Sequence, residues 1–199
     1  MKPVIYLATQ NLHKIEEIKD LLGDLFDIHT VFELNLLVEI PETGNTLEEN
    51  SRQKAEFIAN HFHVSCLSDD SGLEVNALGG KPGVFSARYA GESKDDSANM
   101  QKLLGELYGI ADRSARFVTV LTYHHQGDFY TFEGEILGQI VDTPRGEHGF
   151  GYDPIFQPHG YEKTFAEMTL AEKNQLAHRA RAMQKFKQFI QTAGVLHGN

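Results

Sequence analysis

Two aspartates stand side by side in Ser68-Asp69-Asp70-Ser71-Gly72, directly after the apolar run that begins at Val64. Adjacent carboxylates repel one another unless a cation lies between or near them. Magnesium is a hard ion that takes carboxylate oxygens and phosphate oxygens together. A carboxylate beside such an ion can orient and deprotonate an attacking water. The same residues also make an Asx-type turn with both aspartates in solvent, because Asp, Ser and Gly all favour turns. Glu42 and several cations elsewhere in the chain weigh towards a site.

Thr9-Gln10-Asn11-Leu12-His13-Lys14 falls where an apolar run gives way to a helical pattern. Asn11 suits an N-cap, and the exposed amides of a helix start attract anions. Lys14, one turn in, would reach a bound phosphate; the alternative is plain capping and a solvated lysine. Downstream of Glu42-Thr43-Gly44, residues Leu47, Asn50, Lys54, Ile58 and His61 fall on one helical face. Buried polar groups need partners, and a ligand phosphate would be one. The competing stripe is Leu47, Ala55, Ile58, Ala59 and Phe62, with Lys54 at its edge.

Pro144-Arg145-Gly146-Glu147-His148-Gly149-Phe150-Gly151-Tyr152-Asp153-Pro154 interleaves glycines with aromatics, so its backbone can approach a flat ligand closely. Phe150 would stack on a ring and Asp153 would accept hydrogen bonds from it; a Gly/Pro turn with aromatics pinned to the core is the alternative. Such dense loops lean towards function. In Lys173-Asn174-Gln175-Leu176-Ala177-His178-Arg179, the guanidinium interrupts a stripe continued by Met183, Phe186 and Ile190. It either snorkels to water or meets a ligand.

Gly79-Gly80-Lys81-Pro82 is not a P-loop, because Val75 stands five before Gly80 and Pro82 replaces Ser or Thr. The ten histidines show no zinc spacing. A net charge of −10 argues against a nucleic-acid partner, which needs a broad basic surface, but leaves room for one small anionic molecule and its metal. The lone Cys66 forms no internal disulfide and fits a reducing compartment as a small buried hydrophobe. No run approaches the ~20 apolar residues of a membrane span, and the run from Val4 to Ala8 is too short for a signal peptide. The expected location is the cytoplasm.

These groups need elements to position them, and 199 residues, 41% hydrophobic, suffice for one domain burying roughly 70% of its unfolded surface. Val4 to Ala8 reads as a strand, followed by a helix to Leu22 carrying Ile15, Ile18, Leu21 and Leu22. Ile28 to Phe32 reads as a second strand. Thr46 and Glu49 form a capping box opening a helix to His61. Val64 to Ser68 and Leu73 to Val75 read as short strands flanking the acidic turn. Ser93 and Asp96 start a helix to Tyr108 with Met100, Leu103, Leu104 and Leu107 inward. Ala115 to Tyr123 and Phe129 to Val141 are strand-like, with a hairpin at Gly127. Thr169 and Glu172 open a helical stretch to Thr192. Early alternation and a late hairpin predict an α/β fold with a mixed sheet.

TQNLHK, ETGNTLEENSRQKA, SDDSGLEVNALGGKPGVFSARYAG, PRGEHGFGYDPIF, KTFAEM and EKNQLAHRARA occur in this order from Leu7 to Arg181. Taken together, the chain resembles the inosine/xanthosine triphosphate pyrophosphatase family. The resemblance implies Mg²⁺-dependent hydrolysis of ITP, dITP or XTP to monophosphate and pyrophosphate. It implies one domain over residues 1–199, usually dimeric, with an elongated mixed sheet flanked by helices and two lobes around a central substrate cleft. It makes Asp70 the general base and a metal-associated carboxylate, Glu42 a metal ligand, and Asp69 their support at the metal. Thr9, Gln10, Asn11, Leu12, His13, Lys14, Lys54, Ser71 and Lys173 would hold the triphosphate. Phe150, Gly151, Tyr152, Asp153, His178 and Arg179 would surround the base, with His178 or Arg179 donating to a 6-oxo group that adenine lacks. The chain departs from the family with Gln10 where glycine is usual and Ala177 where serine is usual; altered affinity is expected from both. Two other readings are a pyrophosphatase acting on modified pyrimidines and a nucleotide sensor without catalysis; intact Glu42, Asp69, Asp70 and Lys14 argue against the sensor.

Overall fold

Ile15, Ile18 and Leu22 recur at helical spacing and are buried together with Ile5 and Leu7, so the first helix is fixed by one apolar stripe. The computed structural model describes residues 2–36 and 38–193. In it β1 (Val4–Leu7) leads to α1 (Leu12–Leu22) and β2 (Asp27–Thr30). Then come α2 (Leu47–Phe62), β3 (Cys66–Val75), α3 (Asp96–Glu106), β4 (Ser114–His125) and β5 (Asp128–Ile140). The last elements are β6 (Phe156–Pro158), α4 (Leu170–Lys173) and α5 (His178–Thr192). The fold is α/β, with a six-stranded mixed sheet in the order β2-β1-β3-β4-β5-β6. β1 is parallel to both β2 and β3, while β5 and β6 are antiparallel. Gln126 and Gly127, with φ of 52° and 91°, make the tight β4–β5 hairpin, whose twist demands two left-handed residues.

Several expectations are corrected. The second strand ends at Thr30, because Glu33 accepts from the Thr30 amide at 2.8 Å and winds residues 31–34 into a 3₁₀ turn. The acidic segment is no turn: β3 runs unbroken through both aspartates. α3 is capped by Asp95, which accepts from the Ala98 amide at 3.0 Å, and not by Ser93. Thr46 caps α2 by accepting from Glu49 N at 3.1 Å, but the Glu49 carboxylate turns to Asn45 N at 2.6 Å, so the box is not reciprocal. The Thr169–Glu172 box is complete, yet it opens only the single turn α4, and α5 starts afresh at His178. β6 had no counterpart in the sequence pattern.

The chain divides into two compact units. One comprises Met1–Asp70, Thr119–Gly134 and Arg179–Asn199; the other comprises Ser71–Val118 and Glu135–His178. The first unit has two apolar layers. Ile5, Leu7 and Leu67 pack with α1 and with Met183, Phe186 and Ile190 of α5, whereas Ala8 and Cys66 pack with Ala55, Ile58 and Ala59 of α2. Burial pushes the Cys66 thiol up to about 12, as befits an inert core residue. The second unit is built on Leu73, Leu103, Leu107, Phe117, Ile136, Phe156 and Phe165. Among the described residues no helix is long and apolar enough to cross a membrane.

Candidate active site

The alternation of β3 decides where its two carboxylates go. Side chains along a strand alternate between faces. Leu67 joins the α1 and α5 layer and Cys66 joins the α2 layer. Asp69, two residues beyond Leu67, therefore meets α1 and α5, and Asp70, four beyond Cys66, meets α2. The contacts follow this rule. Asp69 Oδ1 pairs with Lys14 Nζ at 2.5 Å, and its Oδ2 accepts from Arg179 Nε at 2.7 Å. Asp70 Oδ1 accepts from Lys54 Nζ at 2.8 Å, and the same ammonium donates to Glu42 Oε1 at 2.6 Å. Each of the adjacent aspartates has its own cationic partners, Lys14 and Arg179 for Asp69 and Lys54 for Asp70.

Asp69, expected to support Glu42 and Asp70 at the metal, is engaged in this structure by two cationic side chains. Asp69 is fully buried, with both oxygens engaged by Lys14 and Arg179. Burial alone would raise its pKa, but Arg179 and Lys14 outweigh that and hold the carboxyl well below the usual range. Asp70 moves the other way: burial raises it, and Glu42 adds to the rise against the pull of Lys54 and Lys14. Lys54 is buried, which would lower its pKa, yet Asp70 and Glu42 together raise it. A carboxylate lifted in this way is a better proton acceptor than a solvated aspartate.

The remaining first-unit residues lie at the start of α1. Asn11 is the expected N-cap, accepting from His13 N at 3.0 Å and Lys14 N at 3.2 Å, and Thr9 Oγ1 accepts from Asn11 N at 3.2 Å. Thr9 is buried, whereas Gln10, Asn11, Leu12 and His13 are exposed. Lys14 also donates to the Asp69 carbonyl at 3.2 Å, so α1 delivers it to β3 and not to bulk water. The two stripes read for α2 merge into one buried face of Leu47, Asn50, Lys54, Ala55, Ile58 and Ala59, while His61 is exposed and Phe62 only partly buried. Asn50 secures the loop after Glu42, since its Oδ1 accepts from Gly44 N at 2.7 Å.

Arg179, expected at a base edge or snorkelling, is 1% exposed and held by Asp69 and by Glu17 of α1. Burial opposes its charge, but these two carboxylates raise its pKa further. Sequence reasoning passed over Glu17. Its signal was present, because Lys14, Glu17, Ile18 and Leu21 share a helical face at spacings of three and four.

The second unit holds its own cluster. Asp153 is buried; its Oδ2 accepts from the Phe150 amide at 3.0 Å and from Lys173 Nζ at 2.6 Å. Lys173 is buried too, 5.1 Å from the Phe150 ring centroid and 5.4 Å from that of Phe165. The α4 capping box sets Lys173 in this place. Tyr152 is buried, its hydroxyl donating to Ser86 O at 2.8 Å, and Phe150 and Gly151 are partly exposed. The His178 ring stacks on Phe117, centroids 4.7 Å apart and planes 10° from parallel. Ser71 stays on β3, next to Asp70. At Gly149, with φ of +75°, an added Cβ would lie 2.1 Å from Asp153 Oδ2, so only glycine lets that carboxylate close on the loop.

Comparison with known proteins adds three kinds of match. The model of a family described as the Ham1 family matches residues 5–189. A Bacillus subtilis protein named dITP/XTP pyrophosphatase is 46% identical over 195 residues, covering 96% of this chain and 98% of that protein. A Christiangramia forsetii protein of the same name is 43% identical over 186 residues, covering 94% and 98% respectively. The solved structure of the Staphylococcus aureus Ham1 protein superposes with a TM-score of 0.86 at 40% identity, covering 95% of this chain and 98% of that one.

Proposed function

The chain belongs to the Ham1 family, and from that membership we propose that it hydrolyses the non-canonical purine nucleotides dITP, ITP and XTP to monophosphate and pyrophosphate. The names of its relatives support the substrate class. The observation that carries the chemistry is the meeting of Glu42 and Asp70 on one ammonium, Lys54 Nζ, with Lys14 held by the neighbouring Asp69.

Asp70 is the proposed general base. It takes a proton from water as the water oxygen bonds to the α-phosphorus; the bond from that phosphorus to the bridging oxygen breaks, and pyrophosphate leaves. Negative charge grows on the phosphate oxygens, and ammonium groups fixed in advance stabilise it without reorganising. Lys14, Lys54 and Lys173, with Thr9 to His13 and Ser71, are the proposed triphosphate contacts. Phe150, Gly151, Tyr152 and Asp153, with His178 and Arg179, are the proposed base contacts.

Glu42 and Asp70 also fit Mg²⁺. Among the described residues no group of three or more His, Cys, Asp or Glu side chains is gathered as a metal cage. Magnesium does not need one, since it is commonly held by one or two carboxylates plus substrate phosphates and water. Two hard carboxylate oxygens already converge on a cation here. When bound, the ion would supply charge stabilisation at the phosphates. The family resemblance extends the proposal to a homodimer acting in the cytoplasm.

Incubation with Mg²⁺ and a panel of ITP, XTP, dUTP, GTP and ATP tests the reading. Pyrophosphate from ITP and XTP is expected. Orthophosphate as first product would mean the wrong bond, and turnover confined to the pyrimidine would mean the wrong base. Asp70→Asn should abolish turnover with the circular dichroism spectrum unchanged; substantial residual activity removes Asp70 from its role.

A further inference from the structure

The loop from Gly149 to Asp153 has one turn of its own, in which Phe150 O accepts from Asp153 N at 3.2 Å, and leads into a short 3₁₀ turn beginning at Asp153; part of what fixes its backbone lies elsewhere in the second unit. At one end Asp153 ties the Phe150 amide and Lys173 together. Beside it Tyr152 reaches Ser86 O. Gly151 lies between these ties with φ of +62°, a left-handed conformation that glycine adopts at no steric cost. That amide donates to Asp96 Oδ2 at 2.7 Å, across 55 residues of chain.

Asp96 is not needed by its own helix in the usual way. The cap of α3 is Asp95, and Asp96 follows it as the first helical residue. An acidic residue there complements the helix dipole only weakly when exposed. The helix presenting it is well anchored. Asn99 Oδ1 accepts from Ala90 N at 2.6 Å, Asn99 Nδ2 donates to Ala87 O at 3.1 Å, and Leu103 is fully buried. A carboxylate on this platform therefore transmits the position of α3 to the middle of the loop.

We propose that Asp96 is a positioning residue for nucleobase selection: its carboxylate fixes Gly151, so that Phe150 and Asp153 on either side keep one relative arrangement. This rests on the reading that Phe150 to Asp153 meets the base. A site that must tell a 6-oxo from a 6-amino edge needs its groups held to a fraction of an ångström. A loop free to sample other arrangements must be ordered again at each binding event, which weakens binding in proportion to the competent fraction.

The test compares steady-state kinetics on ITP and ATP, with Mg²⁺, for the unaltered protein, Asp96→Ala, Asp96→Asn and Asp153→Asn. Asp96 is exposed, so its truncation opens no core cavity. In Asp96→Ala, KM for ITP should rise about tenfold, as for loss of a hydrogen bond to a charged acceptor. Its kcat should stay within about twofold, and the ITP-over-ATP ratio of kcat/KM should fall. Asp96→Asn keeps an acceptor oxygen and should keep most of that ratio. The proposal is overturned if Asp153→Asn lowers the ratio while Asp96→Ala leaves both KM and ratio unchanged. It is equally overturned if Asp96→Ala lowers kcat with the ratio intact, or if Asp96→Asn loses as much selectivity as Asp96→Ala. Should Asp153→Asn itself leave the ratio untouched, the assignment of the loop to the base fails, and the positioning role of Asp96 fails with it.

Discussion

Arg179 and Asp69 stand 110 residues apart in the chain and meet with Nε 2.7 Å from Oδ2 and Nη2 3.4 Å from Oδ1, both side chains closed off from solvent. The pair joins the start of α5 to the middle of β3, and Glu17 of α1 completes it on the far side of the guanidinium. Removing one partner of a buried pair strands the other, which typically costs ~3–5 kcal/mol. Lys14 remains on Asp69, so Arg179→Met should fall at the lower end, about 3 kcal/mol. Urea unfolding at neutral pH measures it. A loss below ~1 kcal/mol, the scale of an exposed pair, would show that water reaches Asp69.

Lys54 makes a different prediction, because its two partners are the carboxylates proposed to hold Mg²⁺. In Lys54→Met, Glu42 and Asp70 would face one another without the ammonium that now joins them. Repulsion between them should lower the thermal midpoint, and a divalent cation should restore it by binding the folded state preferentially. Melting curves without nucleotide, over a Mg²⁺ titration, should show a larger upward shift in the variant than in the unaltered chain. Equal shifts in both proteins would mean that the two carboxylates do not share an ion.

How much of this could be read from the sequence depends on the range of the interaction. Asn11 as a cap, the hairpin at Gly127 and the Thr169–Glu172 box are set by neighbours within a few residues, and all three stand in the structure. Lys54 was visible as a flaw in an apolar stripe, because a buried charge disturbs helical periodicity. The Asp69–Asp70 pair was read as a turn for the same local reason: Ser, Asp and Gly prefer turns. What makes it a strand is nonlocal. The cations that allow Asp69 to be buried come from positions 14 and 179, and those that hold Asp70 from position 54. Composition carries no trace of those distances. Glu17 shares a helical face with Lys14, but its partner, 162 residues away, leaves no local mark.

Gly146 in the second unit's long loop and Gly127 in the first unit's β4–β5 hairpin can be separated by what surrounds them. Gly146 and Gly127 both sit at positive φ, 85° and 91°, so alanine at either is strained by ~1–2 kcal/mol. A Cβ at Gly127 meets nothing within 4 Å, but at Gly146 it would lie 2.2 Å from the Ala166 carbonyl carbon and oxygen. That carbonyl is fixed by the amides of Glu147 and His148, at 3.1 and 3.0 Å, and cannot withdraw without breaking both bonds. Gly146→Ala should therefore be less stable than Gly127→Ala by a further ~1–3 kcal/mol, the usual cost of overpacking. Urea midpoints of the two variants decide it, and equal midpoints would mean that residues 164–167 yield freely.

Acid should weaken the turn that carries Lys173. Glu172 accepts from Thr169 N at 2.7 Å and from Lys163 Nζ at 2.9 Å. The Thr169 amide first, then Lys163, lower its pKa from 4.5 to about 2 in the folded protein. A carboxylate depressed on folding contributes stability that is fully present above its unfolded value and is lost as pH falls towards its folded one. The Glu172 contribution should thus be complete above about pH 4.5 and should fade between there and about pH 2. Glu172→Gln keeps an acceptor oxygen but has no proton to gain, so it lacks this term at every pH. The gap in thermal midpoint between the unaltered chain and the variant should be constant near neutrality and should close across that acid window. A gap that stays constant down to pH 2 would mean the Glu172 charge adds nothing to α4, and the placement of Lys173 would then rest on the Thr169 cap alone.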